Sequence, residues 1–327
     1  TELESSDTNQ LAIGTLACDP TTAELTPERY LRALSLDLRG TVPSVSELDD
    51  VRMAEGVPPT LIDQWLNEAA FASQVVRHHR QLLWNNVSNV NLLAASALLV
   101  RQGNGPYWRR VPAIAYRGSS VACRNEEATF DRAGIPEVDA EGREGYVLLR
   151  PYWLPEDETI KVCAFDAQAT TVSSSGSDCR NRRSANDPEC GCGPGLRWCA
   201  INRTNRENTS RAMGEALDKL IFNLIDEGLP YTALFTSTRG FVNGPLVHFW
   251  RHQTRLSGGL VFEPKSINTD TLPDLEYTEY DQWEQIQLPG EHAGILTRPG
   301  FLLRFQTNRA RANQFYNAFL CAPFNPP

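Results

Sequence analysis

The feature that most constrains the fold of this chain is the distribution of its cysteines. Eight cysteines occur in 327 residues, and four of them fall between positions 179 and 199. That stretch is rich in Gly, Pro, Asn and Arg, so it buries little apolar surface, and crosslinks would stabilise it where packing does not. We therefore predict disulfides and an oxidising compartment, with the pairing left open. The set comprises Cys18, Cys123, Cys163, Cys179, Cys190, Cys192, Cys199 and Cys321.

The cysteine cluster also allows a metal interpretation. Four thiolates, from Cys179, Cys190, Cys192 and Cys199, would suit zinc or an iron–sulfur cluster. Their spacing lacks the usual paired Cys-x-x-Cys, and the four further cysteines indicate oxidation. Disulfides are therefore the favoured interpretation.

Helical periodicity divides the chain into four segments. Residues 1–24 are expected to form a flexible leader. Residues 25–100 show helical spacing, residues 101–208 lose it among frequent Gly and Pro, and residues 209–327 regain it. We predict a mainly α fold with an irregular, β-containing, disulfide-stapled insertion, which makes the class α+β, and we expect residues 209–327 to pack with residues 25–100.

Helix start signals punctuate the first helical segment. Thr26 precedes a proline at the first helical position, and Ser44 with Glu47 three residues later forms a capping box. Thr60 is predicted to cap a third helix. A fourth helix is predicted over residues 71–84.

The insertion contains two strand-like runs, residues 146–149 and residues 160–165. After the insertion, Ser210 is predicted to cap a helix that ends at Gly228.

The C-terminal part alternates short helices with loops. Asn243 is predicted to open a helix through His252, and residues 257–290 are predicted to be loop because Pro, Asp and Thr dominate them. Two further helices are predicted over residues 293–305, broken near a proline, and residues 309–320.

Charge and hydropathy exclude two classes of partner. The formal net charge is −9, which repels nucleic-acid phosphates and anionic lipid surfaces, so no nucleic acid is expected. The most apolar stretch, residues 90–100, is shorter than the ~20 residues that cross a bilayer. We therefore expect no transmembrane span.

Three stretches resemble a known family. They are residues 29–48, with Leu36-Asp-Leu-Arg-Gly; residues 231–246, with Phe241-Val-Asn; and residues 292–302, with Ala293-Gly-Ile-Leu-Thr, followed by Phe319-Leu-Cys-Ala-Pro. In this order they are similar to the domains of unknown function found beside cytochrome c modules in planctomycetes and myxobacteria. The resemblance covers about a third to a half of the chain.

The resemblance implies an extracytoplasmic helical protein that supports electron transfer. Family members often continue into a Cys-x-x-Cys-His haem-attachment motif, and this sequence contains none. We therefore expect no covalently bound haem in this chain and a haem in a partner. His79 stands at the position of the family's His, and it forms with His78 a pair of haem-proximal candidates, against the alternative of an ordinary core histidine.

Two other patterns suggest metal ligands. His248 and His252 lie four residues apart, so on a helix both imidazoles face one side, where they would share a metal ion. The zinc-protease pattern fails because no Glu follows the first His, and surface or capping histidines are the competing interpretation. Acidic clusters at residues 156–158 and 270–281 offer oxygen ligands for calcium, although a solvated acidic face is favoured.

Together these patterns favour a non-catalytic extracytoplasmic subunit, located in the periplasm, on the outer-membrane surface or outside the cell. Its partner is a c-type cytochrome module or a second copy of the chain. The alternative is a secreted glycan-binding protein or glycan-active enzyme, because paired carboxylates can come from distant positions. In that alternative a sugar platform is formed by Tyr107, Trp108, Tyr116, Tyr152 and Trp153.

Overall fold

The computed structural model describes residues 25–54, 56–87, 90, 92–101, 105–110, 123–201, 204–256 and 265–324. The chain divides into two compact units, residues 1–71 and residues 72–327, so the boundary falls inside the predicted helical segment 25–100. The leader predicted for residues 1–24 lies outside the described part. Within that part, nine α-helices and a mixed five-stranded sheet confirm the α+β class.

The first unit contains helices α1 (Pro27–Arg39), α2 (Val45–Met53) and α3 (Pro59–Leu66). The Thr26 side chain accepts from the Arg29 amide, and the capping box of α2 is complete. The prediction that Thr60 caps α3 is wrong. The helix begins at Pro59, because the fixed φ of proline suits the first helical turn, and Thr60 lies inside it.

The core of the first unit is small. Leu31, Val51 and Trp65 are completely buried, and the guanidinium of Arg39 lies 3.9 Å from the centroid of the Trp65 ring. Three buried side chains are a modest core for a unit of this length.

The second unit is organised around a long helix, α5 (Thr204–Asp226). Helix α4 (Ala69–Leu83) contributes Val76 and Leu83 to a cluster with the apolar face of α5. The prediction that Ser210 caps α5 is wrong, because the helix begins six residues earlier and Ser210 is buried inside it. The helix ends as predicted: Gly228 has φ +63°, and its amide donates to the Ile225 carbonyl.

Short elements complete the helical part of the second unit. They are α6 (Ala233–Thr236), β6 (Arg239–Val242), α7 (Gly244–His248), β7 (Glu284–Gln287), α8 (Pro299–Arg304) and α9 (Asn308–Phe315). Asn243 caps α7 as predicted, and a helical turn continues to Gln253. The prediction that residues 257–290 form a loop is wrong at β7. This strand pairs antiparallel with β6, and its side chains are mostly exposed.

The insertion forms a mixed sheet in the order β3-β4-β2-β1-β5. Its strands are β1 (Leu98–Arg101), β2 (Tyr107–Arg110), β3 (Tyr146–Leu149), β4 (Ile160–Cys163) and β5 (Ala200–Ile201). Strands β3 and β4 lie where the sequence predicted strands. Strand β1 begins before the predicted start of the insertion, because Leu98–Arg101 pairs with β2 on one side and β5 on the other.

Three disulfides crosslink the insertion, which confirms six of the predicted cysteines. The pairs are Cys123–Cys163, Cys179–Cys190 and Cys192–Cys199. They indicate an oxidising compartment outside the cytoplasm, and they leave no thiolates in the cluster for zinc or iron.

Cys321 is exposed just after the last helical turn and belongs to none of the three disulfides of the described residues. Cys18 lies outside the described part of the chain, so for these two cysteines disulfide formation stays a prediction. Among the described helices, none has the length and apolar content to cross a bilayer.

Candidate functional site

An open groove of about 620 Å³ lies between the C-terminal end of α4 and the middle of α5. Its walls combine one exposed indole with charged and amide side chains. The lining residues are Arg80, Trp84, Asn85, Asn86, Val87, Arg211, Gly214, Glu215, Asp218 and Arg304.

Gly214 allows the segment after α4 to lie directly on α5. A Cβ at this position would stand 2.3 Å from the carbonyl oxygen of Asn85, so any larger residue would push the segment away. The Asn85 side chain donates to the Gly214 carbonyl at 3.1 Å and to Asp218 Oδ1 at 2.7 Å. These contacts form the floor of the groove.

Both carboxylate oxygens of Asp218, in the floor of the groove, accept hydrogen bonds. Arg80 donates to its Oδ2 from Nε at 2.9 Å and from Nη2 at 2.6 Å. This contact with Asp218 is the main reason why the pKa of Arg80 is raised. Because both oxygens of Asp218 accept charge-assisted or amide hydrogen bonds, the floor is a rigid polar surface.

Trp84 stands at the edge of the groove with 56% of its surface exposed. Its backbone has φ +47°, a left-handed conformation that large side chains rarely adopt, and its amide donates to the Arg80 carbonyl at 3.0 Å. Such a conformation costs about 1–3 kcal/mol and is often retained at functional sites. It ends α4 abruptly and leaves the indole in solvent.

Two further groups give the groove its electrostatic character. The pKa of Glu215 is raised, mainly by burial, and Arg211 opposes that effect from 3.7 Å. The guanidinium of Arg304 lies 5.7 Å from the centroid of the Trp84 ring. No described carboxylate pairs with Arg304, and its buried Nε has no hydrogen-bond partner. One cation beside the indole is therefore uncompensated.

His248 and His252, the predicted metal pair, lie elsewhere in the second unit. Their ring centroids are 4.9 Å apart, and His248 Nε2 contacts the Arg197 carbonyl at 3.1 Å. Burial lowers the pKa of His248 well below its usual value and, together with Arg197 and Arg251, lowers that of His252 to about 4. In the described part of the chain no third His, Cys, Asp or Glu joins them.

The two haem-proximal candidates have different environments. His78 is exposed. His79 is buried, with Nδ1 2.8 Å from the Val75 carbonyl and Nε2 2.9 Å from the Tyr231 hydroxyl. Burial is the main reason why the pKa of His79 is lowered. Both of its nitrogens are therefore occupied by protein contacts, as in an ordinary core histidine.

The described members of the predicted sugar platform are all partly buried, and the rings of Tyr152 and Trp153 are in contact at 4.8 Å. Trp108 and Trp153 pack against the buried core of the insertion, and Tyr152 stacks on His248. Tyr107 lies half-buried in β2, and Tyr116 lies outside the described residues. The aromatic side chain that lines the groove is Trp84, which the sequence analysis did not select. Its only signal in the sequence was a tryptophan at the end of a predicted helix.

The acidic cluster at residues 156–158 is exposed, as a solvated face would be. The second cluster, at residues 270–281, directly precedes β7 in the chain. Within the described residues no group of three or more acidic, His or Cys side chains is arranged to hold an ion.

No protein-family model matches this chain, and neither a curated protein nor a solved structure is detectably similar to it. The resemblance to the cytochrome-associated domains therefore stays a prediction.

Proposed function

We propose that this chain is an exported, non-catalytic binding protein and that its groove takes an oligosaccharide containing uronic acids. The observation that carries the proposal is the exposed Trp84 indole, held by a left-handed backbone at the edge of a polar groove. Aromatic faces stack on the apolar faces of sugar rings, and fixed amide and charged groups bind their hydroxyls.

The charge of the groove selects the class of sugar. Asp218 is paired with Arg80, and Glu215 lies 3.7 Å from Arg211. Arg304 is the cation beside the indole that pairs with no described acid. A carboxylate on a sugar stacked over Trp84 would form an ion pair with Arg304, because guanidinium groups bind carboxylates with two parallel hydrogen bonds.

The test is binding of defined oligosaccharides, followed by the fluorescence of the protein and by calorimetry. Oligogalacturonates and alginate fragments should bind, and neutral cello-oligosaccharides of equal length should bind at least about tenfold more weakly. Trp84→Ala should abolish binding, and Trp84→Phe should retain part of it. Arg304→Gln should remove the preference for acidic sugars while leaving weak binding to neutral ones.

Phe130→Ala provides the matched control, because Phe130 is an exposed aromatic residue of the insertion. Its affinity for acidic oligosaccharides should equal that of the parent chain. Equal affinity of Trp84→Ala and the parent would overturn the proposal, as would binding of no acidic oligosaccharide. Appearance of shorter products would show instead that the groove is a hydrolytic site.

We also propose, from the sequence resemblance, that the chain associates with a c-type cytochrome or with itself in the periplasm, on the outer-membrane surface or outside the cell. The first unit supports an interaction role because its short helices and their flanks leave many large apolar side chains exposed. These are Leu25, Tyr30, Leu36, Val42, Val45, Met53 and Leu66.

Association is tested on protein purified from its native source. A Soret band that co-migrates with the chain in size-exclusion chromatography supports a haem partner, and a colourless dimer supports self-association. The double variant Val45→Glu and Met53→Glu should dissociate either complex. Leu148→Glu, on an exposed residue of the insertion, should not. A colourless monomer contradicts this second proposal and leaves the first one standing.

A further inference from the structure

A second cavity, of about 50 Å³, lies inside the second unit, between α5, β6, β7 and the segment that leads into α8. Most of its lining is apolar and includes Leu217, Val242, Leu246 and Trp250. Its polar lining comes from three basic residues, Arg239, His292 and Arg298. Among the described residues no acidic side chain lines it.

Arg298 is a buried cation, with 6% of its surface exposed. Its Nη2 donates to the carbonyls of Ser237 at 3.0 Å and Arg239 at 2.5 Å, and its Nε has no hydrogen-bond partner. Burial lowers its pKa to about 10, so it stays charged at neutral pH, and no acidic neighbour contributes to that shift. A charge in such a place is costly unless a counter-charge accompanies it.

His292, which also lines the cavity, has a second buried atom without a hydrogen-bond partner among the described residues. It is 3% exposed, its Nε2 has no partner, and its ring lies 6.0 Å from that of Trp250. Burial, and then Arg298, lower its pKa, which keeps the imidazole neutral at neutral pH. A neutral imidazole nitrogen can donate or accept a hydrogen bond according to its tautomer.

Arg239, the third basic lining residue, already has partners. It forms an ion pair with Glu227 and donates to Asn223. The unmet requirement of the cavity is therefore a negative charge for Arg298, which has no acid beside it among the described residues.

We propose that this cavity binds a small monocarboxylate, of the size of acetate or propionate, between Arg298 and His292. Its carboxylate pairs with the Arg298 guanidinium, which lines the cavity, and its methyl or ethyl group lies against the apolar lining. A volume of about 50 Å³ has room for roughly four water-sized groups, which matches the heavy atoms of acetate. Ligands of hexanoate size exceed it. The groove around Trp84 shares none of the residues that line this cavity.

The experiment titrates the full chain with acetate, propionate, hexanoate and chloride at constant ionic strength, with gluconate as the balancing anion. Calorimetry gives the affinities, and the ¹⁵N resonance of His292 Nε2 reports occupancy of the cavity. Acetate and propionate should bind, shift that resonance and raise the melting temperature. Hexanoate and chloride should bind at least about tenfold more weakly.

Two variants and one control locate the site. Arg298→Gln should abolish binding, but it also removes hydrogen bonds to two carbonyls and therefore risks misfolding. Ala216→Leu leaves Arg298 in place and fills the cavity, and it should weaken propionate binding at least tenfold. Arg309→Gln, at an exposed arginine nearby in sequence, should bind like the parent.

Three results would overturn the proposal. One is chloride binding as tightly as acetate, which would identify a halide site. Another is unchanged propionate affinity in Ala216→Leu, and the last is binding without any shift of the His292 resonance. None of these results bears on oligosaccharide binding at Trp84.

Discussion

The imidazole of His248 stacks on the phenol ring of Tyr152 with ring centroids 3.7 Å apart and planes inclined by 16°. This contact joins α7 to the insertion. The Tyr152 hydroxyl also accepts from Asn205 at 2.8 Å and from Gln253 at 3.2 Å. The disulfide-crosslinked insertion is therefore packed onto the helical part of the second unit through a hydrogen-bonded aromatic cluster.

Protonation of His252, whose ring lies 4.9 Å from that of His248 in this cluster, makes the stability of the fold depend on pH. His252 has a pKa of about 4 in the folded chain, against 6.5 for an ordinary histidine, because it is buried near Arg197 and Arg251. Between these values the unfolded chain binds a proton that the folded chain does not. The stabilisation is complete above pH 6.5, and it is lost as the pH falls toward about 4.

We therefore expect the free energy of unfolding to decrease on acidification from pH 6.5 to pH 4. NMR titration of the His252 ring should give its pKa directly, and urea denaturation across this range should give the slope. His252→Gln should reduce the slope, to which the buried His248 and His79 also contribute, whereas His78→Gln, at an exposed histidine, should not. A His252 titration midpoint near 6.5 would contradict this prediction.

Gly214→Ala should destabilise the second unit by about 1–3 kcal/mol, because the new methyl group would overlap the Asn85 carbonyl. The segment after α4 must then move, and the fluorescence of Trp84 should change with it. Urea denaturation measures the loss. Gly290→Ala is the control, since nothing lies within 4 Å of a Cβ there. Equal stability of the two variants would show that the segment is not held against α5.

The disulfides should contribute unequally. Cys123 and Cys163 are 40 residues apart, whereas Cys192 and Cys199 are 7 apart. In the chain-entropy account, the longer loop stabilises by about 4 kcal/mol and the shorter by about 2.5 kcal/mol. Paired Cys→Ala variants, compared by chemical denaturation, should keep this order. Cys321→Ser should leave these disulfides intact, because Cys321 belongs to none of them. Peptide mapping without reduction that finds other pairs would refute the assignment.

Asp166→Ala should cost about 3–5 kcal/mol, because it leaves the buried Arg110 without its carboxylate. Arg110 donates to Asp166 from Nε at 2.7 Å, and its backbone amide donates to the same carboxylate at 3.0 Å. Their side chains are 4% and 1% exposed. Asp178→Ala removes partly exposed ion pairs with Arg180 and Arg255 and should cost about 1 kcal/mol. Similar losses in the two variants, measured by thermal denaturation, would be inconsistent with a buried pair.

The elements that were predicted correctly carry their signal within a few residues. The capping box of Ser44 and Glu47, the glycine at position 228 and the strands at 146–149 and 160–163 are examples. The errors at Thr60 and Ser210 have one cause. Hydroxyl side chains occur both at caps and inside helices, so the residue type alone does not fix where a helix begins.

The candidate groove could not be predicted from sequence patterns. Asn85 and Asp218, whose hydrogen bond forms its floor, are 133 residues apart. The predicted aromatic platform stays a prediction: Tyr and Trp fill cores as readily as they line binding sites, and Trp108 and Trp153 are partly buried against the core of the insertion.

The sequence by itself determined the local structure and the chemistry of the cysteines, because caps, turns and strand alternation act over a few residues and because a Gly-rich segment needs crosslinks. The tertiary structure alone decided which cysteines pair, that Trp84 rather than Tyr152 faces solvent, and that Arg298 is buried without an acid. Burial and counter-charge are set by residues distant in the chain, so they exist only once the chain has folded.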